Sequence, residues 1–233
     1  MFLEESNKPT VVIAMEVLDN LPHDKVTLCQ ETGKILQAEI HPIYKNSNES
    51  HTELEEKFVP ISDELLKEVI ALQPSYLPSS SSSFGTNWVP TVACGVLEQI
   101  FNARPNTSVV LADFDWLPSP QLESGSTRTR RSLKGNNEPL VTCMNDLDHL
   151  CYLDAPPFCD ILFPTDFPKL LCFTQNLLMK KNIECKGHIM KQNEFLFQYG
   201  PNEIDKTRGR LTGFTPLLED FTNCSIMSAS TRK

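Results

Sequence analysis

Apolar residues 10–15, TVVIAM, run consecutively rather than alternately, the pattern of a strand covered on both faces in a parallel sheet. Glu16 and Asp19 follow it, and Pro22 closes the short turn or helix between them. VTLCQETGKILQAEIHPI, residues 26–43, then predicts a hairpin around Glu31-Thr32-Gly33-Lys34, with Gly33 free to take positive φ. Ser62-Asp63 opens a helix whose apolar face is Leu65, Leu66, Val69, Ile70 and Leu72, with Pro74 beyond its end. A second helix has Pro90 in its first turn, with Trp88, Val92, Val96 and Ile100 recurring every four residues beside Val89, Leu97 and Phe101, and is expected in the core.

SVVLADFDWLP, residues 108–118, is a second buried strand, and it too ends in carboxylates, Asp113 and Asp115. PLVTCM predicts another short strand, and the acidic stretch after it, with Asp146, Asp148 and His149, reads as loop rather than metal site. Asp166 caps a helix carrying Leu170, Leu171, Thr174, Leu177 and Leu178. Residues 183–189 predict a strand, NEFLFQYG a short helix or strand ending at Gly200, and residues 223–229 a final strand pairing antiparallel at the sheet edge. Flexible loops are expected over residues 44–57, 78–86, which hold five consecutive serines, and 120–138. Two strands that end in acids point to an open α/β sheet, whose ligands bind where the strands finish.

Composition narrows the partners. Of the net charge of −9, most lies at the start: residues 1–73 hold 6 Lys and Arg against 14 Asp and Glu, and the remaining 160 hold 15 against 16. That excess disfavours a nucleic-acid face and suits a cationic substrate or partner, although a solvated surface is the ordinary reading for Glu49, Glu53, Glu55 and Glu56. No apolar run reaches the roughly 20 residues of a membrane span, and MFLEESNKPT reads neither as a secretory signal nor as a transit peptide. The eight cysteines contain no CxxC pair, so reduced thiols in an intracellular compartment are expected, and no metal ligands are assigned.

In chain order, five stretches resemble the MidA-like class I S-adenosylmethionine-dependent methyltransferases, which include the mitochondrial protein-arginine methyltransferase of respiratory complex I assembly. VVIAMEVLDNLPHD resembles the family's strand and "NEFFDALP" motif through Glu16, Asp19, Leu21 and Pro22, with Met15 in place of asparagine. SVVLADFD resembles the strand ending "DYG", where Asp113 matches and Phe114 and Asp115 depart. EPLVTCM resembles "TLRAYR" without its basic residues, and FCDILFPTDFPKL resembles "DITAHVDFSAL" with Asp160, Asp166 and Phe167 in register. KQNEFLFQYG resembles "TQGEFLLALG" through Gln192, Glu194, Phe195, Leu196 and Gly200.

The resemblance implies the C-terminal part of a Rossmann-like methyltransferase sheet with a hairpin and helical insertion, a single incomplete domain over residues 1–233. It implies S-adenosylmethionine as cofactor, a protein substrate or assembly partner, and a mitochondrial setting. Nine glycines without a GxGxG leave no cofactor-binding residue to assign. An arginine acceptor keeps its proton to a pKa above about 12, so carboxylates gripping it bidentately are the natural orienting groups. Glu16 and Asp19 take that part; Asp113, Asp160 and Asp166 stand behind them as substrate-binding candidates. Structural duties compete for these acids: Asp19 in capping the turn, Asp166 in capping its helix, Asp113 in bonding backbone at a strand end. Either the chain is an enzyme once its cofactor half is supplied, or it is an inactive remnant that works as a protein-binding or assembly module.

Overall fold

Thr10–Met15 form β1, whose burial alternates: Val11, Ile13 and Met15 are 65%, 67% and 55% exposed. The consecutive apolar run therefore builds the predicted strand, but only one of its faces is covered. In this computed structural model, residues 8–29, 31–43, 53–78, 85–118, 137–143, 147–149, 151–153 and 155–232 are described. Residues 44–52, 79–84 and 119–136 of the expected loops lie outside them. The chain separates into two compact units: Met1–Asp19, Cys94–Trp116 and Pro164–Lys233 make the first, Asn20–Ala93 and Leu117–Phe163 the second.

In the first unit β1 pairs parallel with β6 (Thr107–Phe114), from Thr10 opposite Thr107 to Met15 opposite Ala112. Antiparallel to β6 runs β11 (Cys224–Arg232), and antiparallel to β11 runs β10 (Glu184–Lys191), giving the order β1-β6-β11-β10. The final strand is antiparallel as expected but lies inside the sheet. It pairs with β6 over Cys224–Ser230 and with β10 over Ser225–Arg232, and β10 takes the edge. The other edge is β1, which has no second partner among the described residues.

Helix α3 (Phe167–Lys180) starts where Asp166 Oδ1 accepts the Lys169 N–H at 3.1 Å, and it buries Phe167, Leu170, Phe173, Thr174, Leu177 and Leu178. Each fully buried Leu or Phe contributes roughly 1.5–3 kcal/mol. The helix lies close against β10 at Gly187, where a Cβ would stand 2.3 Å from Leu171 Cδ1 and 3.1 Å from the Ser228 carbonyl oxygen. NEFLFQYG resolves as helix, α4 (Gln192–Tyr199), followed by the short α5 (Pro201–Thr207) and α6 (Pro216–Glu219).

The second unit holds an antiparallel sheet of β2 (Asp24–Leu28), β3 (Ile35–Ile43), β4 (Glu53–Pro60) and β5 (Thr86–Val89), in the order β4-β3-β2-β5. The β2-β3 hairpin turns at Gly33, φ 66°, as predicted. Residues 53–57 belong to β4 rather than to a loop, because pairing with β3 draws this polar, alternating segment into the sheet. Helix α1 (Glu64–Leu72) begins at Asp63, whose Oδ1 accepts the Leu66 N–H at 3.0 Å, and buries Leu66, Val69 and Ile70.

Helix α2 (Thr91–Ala103) starts in the second unit and continues in the first. Trp88 and Val89 belong to β5, not to this helix. Its buried face is Ala93, Cys94, Leu97 and Phe101, while Val92 and Val96 of the predicted stripe are 37% and 41% exposed. Two apolar stripes overlap in this sequence, and the one through Leu97 and Phe101 is turned inward.

A third sheet, also in the second unit, consists of β7 (Leu140–Cys143), β8 (Leu147–His149) and β9 (Asp160–Leu162), in the order β8-β7-β9. His149 thus stands on a strand rather than in a loop, since pairing with β7 orders the segment. Cys143 and Cys159 are joined as a disulfide, where reduced thiols were expected. Among the described residues no helix is long and apolar enough to cross a membrane.

Candidate functional site

At the C-terminal ends of β1 and β6 the chain concentrates acids. Glu16 has φ 52°, the left-handed region that costs a non-glycine residue on the order of 1–2 kcal/mol. Its N–H donates to the Ala112 carbonyl at 2.9 Å, so the β1-β6 ladder holds it there. Fully buried Asp113 fixes the next turn: Oδ2 accepts the N–H groups of Leu18 (2.7 Å) and Asp19 (3.2 Å), and Oδ1 that of Phe114 (2.8 Å). Burial pushes the Asp113 carboxyl up to about 6; the Asp19 carboxylate adds to the rise and the backbone N–H donors oppose it.

Asp115 Oδ2 accepts from Ser225 Oγ at 2.7 Å and pairs with the Lys191 ammonium. Its Oδ1 is buried and has no hydrogen-bond partner among the described residues. A buried acceptor left open costs about 1–3 kcal/mol, so it marks a place where a donor would be gained. Burial, together with the charges of Asp113, Glu16 and Asp115, pushes the Cys224 thiol up to about 11. Three carboxylates therefore act on one point at this end of the sheet, and the thiol among them stays protonated and non-nucleophilic at neutral pH.

The second unit carries a cavity of about 320 Å³, walled chiefly by Trp88, Phe163, Ile40 and Ile161. His23 stacks on Phe163, with ring centroids 4.1 Å apart and planes 9° apart. Burial drives the His23 pKa down to about 4 against a contact with the Leu21 carbonyl oxygen, so the ring is neutral at pH 7. Lys25 Nζ lies 5.5 Å, 5.7 Å and 5.9 Å from the ring centroids of Trp88, Tyr152 and Phe58. It also donates to both Glu56 carboxylate oxygens at 3.0 Å, and Tyr152 donates its hydroxyl proton to Glu56. The aromatic cage is thus filled by the protein's own ammonium, which leaves the cavity suited to an apolar or neutral aromatic group.

The predicted site residues fall in both units. Glu16 is exposed at the end of β1, Asp19 is buried after it, and Asp113 is bonded to the backbone of that same turn. Asp166 caps α3 and pairs with Lys169 at 3.0 Å. Asp160 is exposed at the start of β9, in the second unit. Sequence reasoning missed the cavity residues His23, Lys25, Trp88 and Tyr152, of which only Lys25 and Trp88 stand on strands, β2 and β5. It also missed Lys191 as the counter-ion of Asp115.

An open α/β sheet whose parallel strands end in carboxylates is the frame on which cofactor-dependent enzymes bind at strand ends. The chain belongs to the family described as "Putative S-adenosyl-L-methionine-dependent methyltransferase", whose model matches residues 2–184. No curated protein matches it. Among solved structures it is similar to an uncharacterized protein from Burkholderia thailandensis, with TM-score 0.62 at 14% identity over 97% of this chain and 56% of that one. It is also similar to a Burkholderia thailandensis protein crystallised with S-adenosyl-homocysteine, with TM-score 0.61 at 11% identity over 97% of this chain and 55% of that one. The chain spans about half the length of these solved proteins.

The residues present do not by themselves fit S-adenosylmethionine. No glycine-rich turn occurs among the nine glycines, and the free edge and exposed face of β1 carry nothing that would cradle an adenosyl group among the described residues.

Proposed function

We propose that this chain is the acceptor-side part of an S-adenosylmethionine-dependent methyltransferase that modifies an arginine of another protein. The cofactor-binding half of the sheet would be completed along the free edge of β1. By the resemblance of its motifs, its setting is the mitochondrion and its substrate a protein of respiratory-complex assembly. The supporting observation is the buried, unpartnered Oδ1 of Asp115 at the carboxylate-rich end of β1 and β6, an acceptor suited to a guanidinium N–H. Glu16 and Asp19 orient the guanidinium, with Asp166 of the same unit behind them, while Asp160 of the second unit is a separate substrate-binding candidate. Asp113 holds the turn that presents Glu16. When bound, the cofactor supplies an electrophilic methyl group; alignment and exclusion of water are what the protein adds.

Titration calorimetry of the folded chain with S-adenosylmethionine tests whether it is an enzyme alone; absence of heat excludes that. Incubation with labelled cofactor and mitochondrial extract, followed by amino-acid analysis, tests the acceptor. Methylarginine that disappears with Glu16→Gln supports the reading, and label on another side chain overturns it. The apolar stripe Val11, Ile13 and Met15 favours a second reading, a protein-binding module without catalysis. That reading requires no cofactor binding even when a partner protein is bound.

A further inference from the structure

The order β8-β7-β9 puts Cys143 on the central strand of the small sheet. Val141 lies opposite His149, so Cys143, two residues along β7, shares a face with His149 and is its diagonal neighbour. On the other side Thr142 lies opposite Asp160, and the next step of that register sets Cys143 against Cys159, with Cα atoms 4.4 Å apart. The sheet therefore draws three donors, from β7, from β8 and from the residue just before β9, to one point. His149 Nε2 is 3.1 Å from Cys143 Sγ, and the three donor atoms lie within 4.8 Å of one another.

A disulfide accounts for the two sulfurs but not for an imidazole nitrogen aimed at them. Two thiolates and one imidazole are the borderline-soft donor set that suits Zn²⁺. All three residues are half-buried, so water can reach a fourth position. We propose that Cys143, His149 and Cys159 form a zinc site that exists only when the disulfide is reduced. A dithiol reductant opens the S–S bond, giving two thiols and its own oxidised disulfide. Zn²⁺ then binds both sulfurs and His149 Nε2 and releases the two thiol protons. The ion takes over the task of the covalent bond, clipping β9 and β8 to β7.

The test uses the full chain, reduced with a phosphine under anaerobic conditions, freed of reductant and titrated with Co²⁺. Expected are one Co²⁺ per chain, a thiolate-to-cobalt charge-transfer band, tetrahedral d–d absorption, and displacement of the bands by Zn²⁺. His149→Ala and Cys159→Ser should each weaken binding at least about tenfold, as loss of a ligand or its support does, whereas Cys151→Ser leaves it unchanged. Oxidised wild type should not bind. The proposal fails if reduced, folded protein takes up no stoichiometric Co²⁺, if His149→Ala binds as tightly, or if the oxidised form binds equally. Should reduction unfold the chain, Zn²⁺ must restore its circular dichroism; failure to do so also overturns the proposal.

Discussion

The two units treat buried polar groups in opposite ways. In the first, Asp113 is surrounded by backbone N–H groups, so a carboxylate fixes a turn. In the second, Lys25, Glu56 and Tyr152 satisfy one another among aromatic rings, so a side-chain network props open a cavity. The first arrangement leaves a neighbouring acceptor, Asp115 Oδ1, without a hydrogen-bond partner among the described residues. The second leaves apolar volume open. Strand ends and inserted sheets thus make different kinds of site from similar residues.

The largest test of this contrast is Trp88→Ala, which removes a ring packed against Tyr152 and Phe163 and a face of the Lys25 cage. Urea denaturation should show a loss of about 3–5 kcal/mol. A loss below about 1 kcal/mol would make the cage peripheral. Asp113→Ala strips acceptors from three N–H groups and should cost about 2–4 kcal/mol, with hydrogen exchange accelerated first at Leu18 and Asp19. Gly187→Ala pushes a methyl toward Leu171 and the Ser228 carbonyl and should cost about 1–3 kcal/mol in the same assay.

Acid should separate the units by sign. The Asp113 carboxyl holds its proton to about 6 in the folded chain against 3.8 ordinarily, so between those values the folded state binds more proton. Its contribution therefore favours folding at about pH 4 and is lost as pH rises through about 6. Relative to Asp113→Asn, the wild type should weaken over that interval. His23 is the reverse: its pKa of about 4 against 6.5 means the unfolded chain binds more proton between them. Its contribution is present above pH 6.5 and lost as pH falls toward 4, so His23→Phe should gain on the wild type in acid. Denaturation midpoints across the two windows check both signs. The smallest effect is Ile13→Lys on the exposed face of β1, expected to change stability by less than about 0.5 kcal/mol while reducing self-association in sedimentation velocity.

Local signals carried much of the fold. The β2-β3 turn was legible because only a residue tolerant of φ 66° suits that position, and α3 because Asp166 precedes a periodic apolar face. The acids of β1 and β6 were legible as strand-end groups, but not the two bonds Asp113 accepts from Leu18 and Asp19, which depend on a turn 95 and 94 residues away in sequence. Of the face of α2, Leu97 and Phe101 were legible, but not that Val92 and Val96 turn outward, since two stripes compete and only packing chooses between them. The strands β8 and β9 are three residues each, too short for any periodicity to register.

By itself, then, the sequence determined where β1, β6, α1 and α3 start, that two parallel strands end in carboxylates, and which family motifs follow in order. Those properties depend on backbone conformation and apolar period, both local. Tertiary structure alone decided that β11 enters the sheet interior, that one oxygen of Asp115 stays open, and that Lys25 fills an aromatic cage. It also decided that Cys143, His149 and Cys159 meet at one point. Each of these is set by strand register between segments far apart in the chain, and register follows from the pairing partner that packing selects.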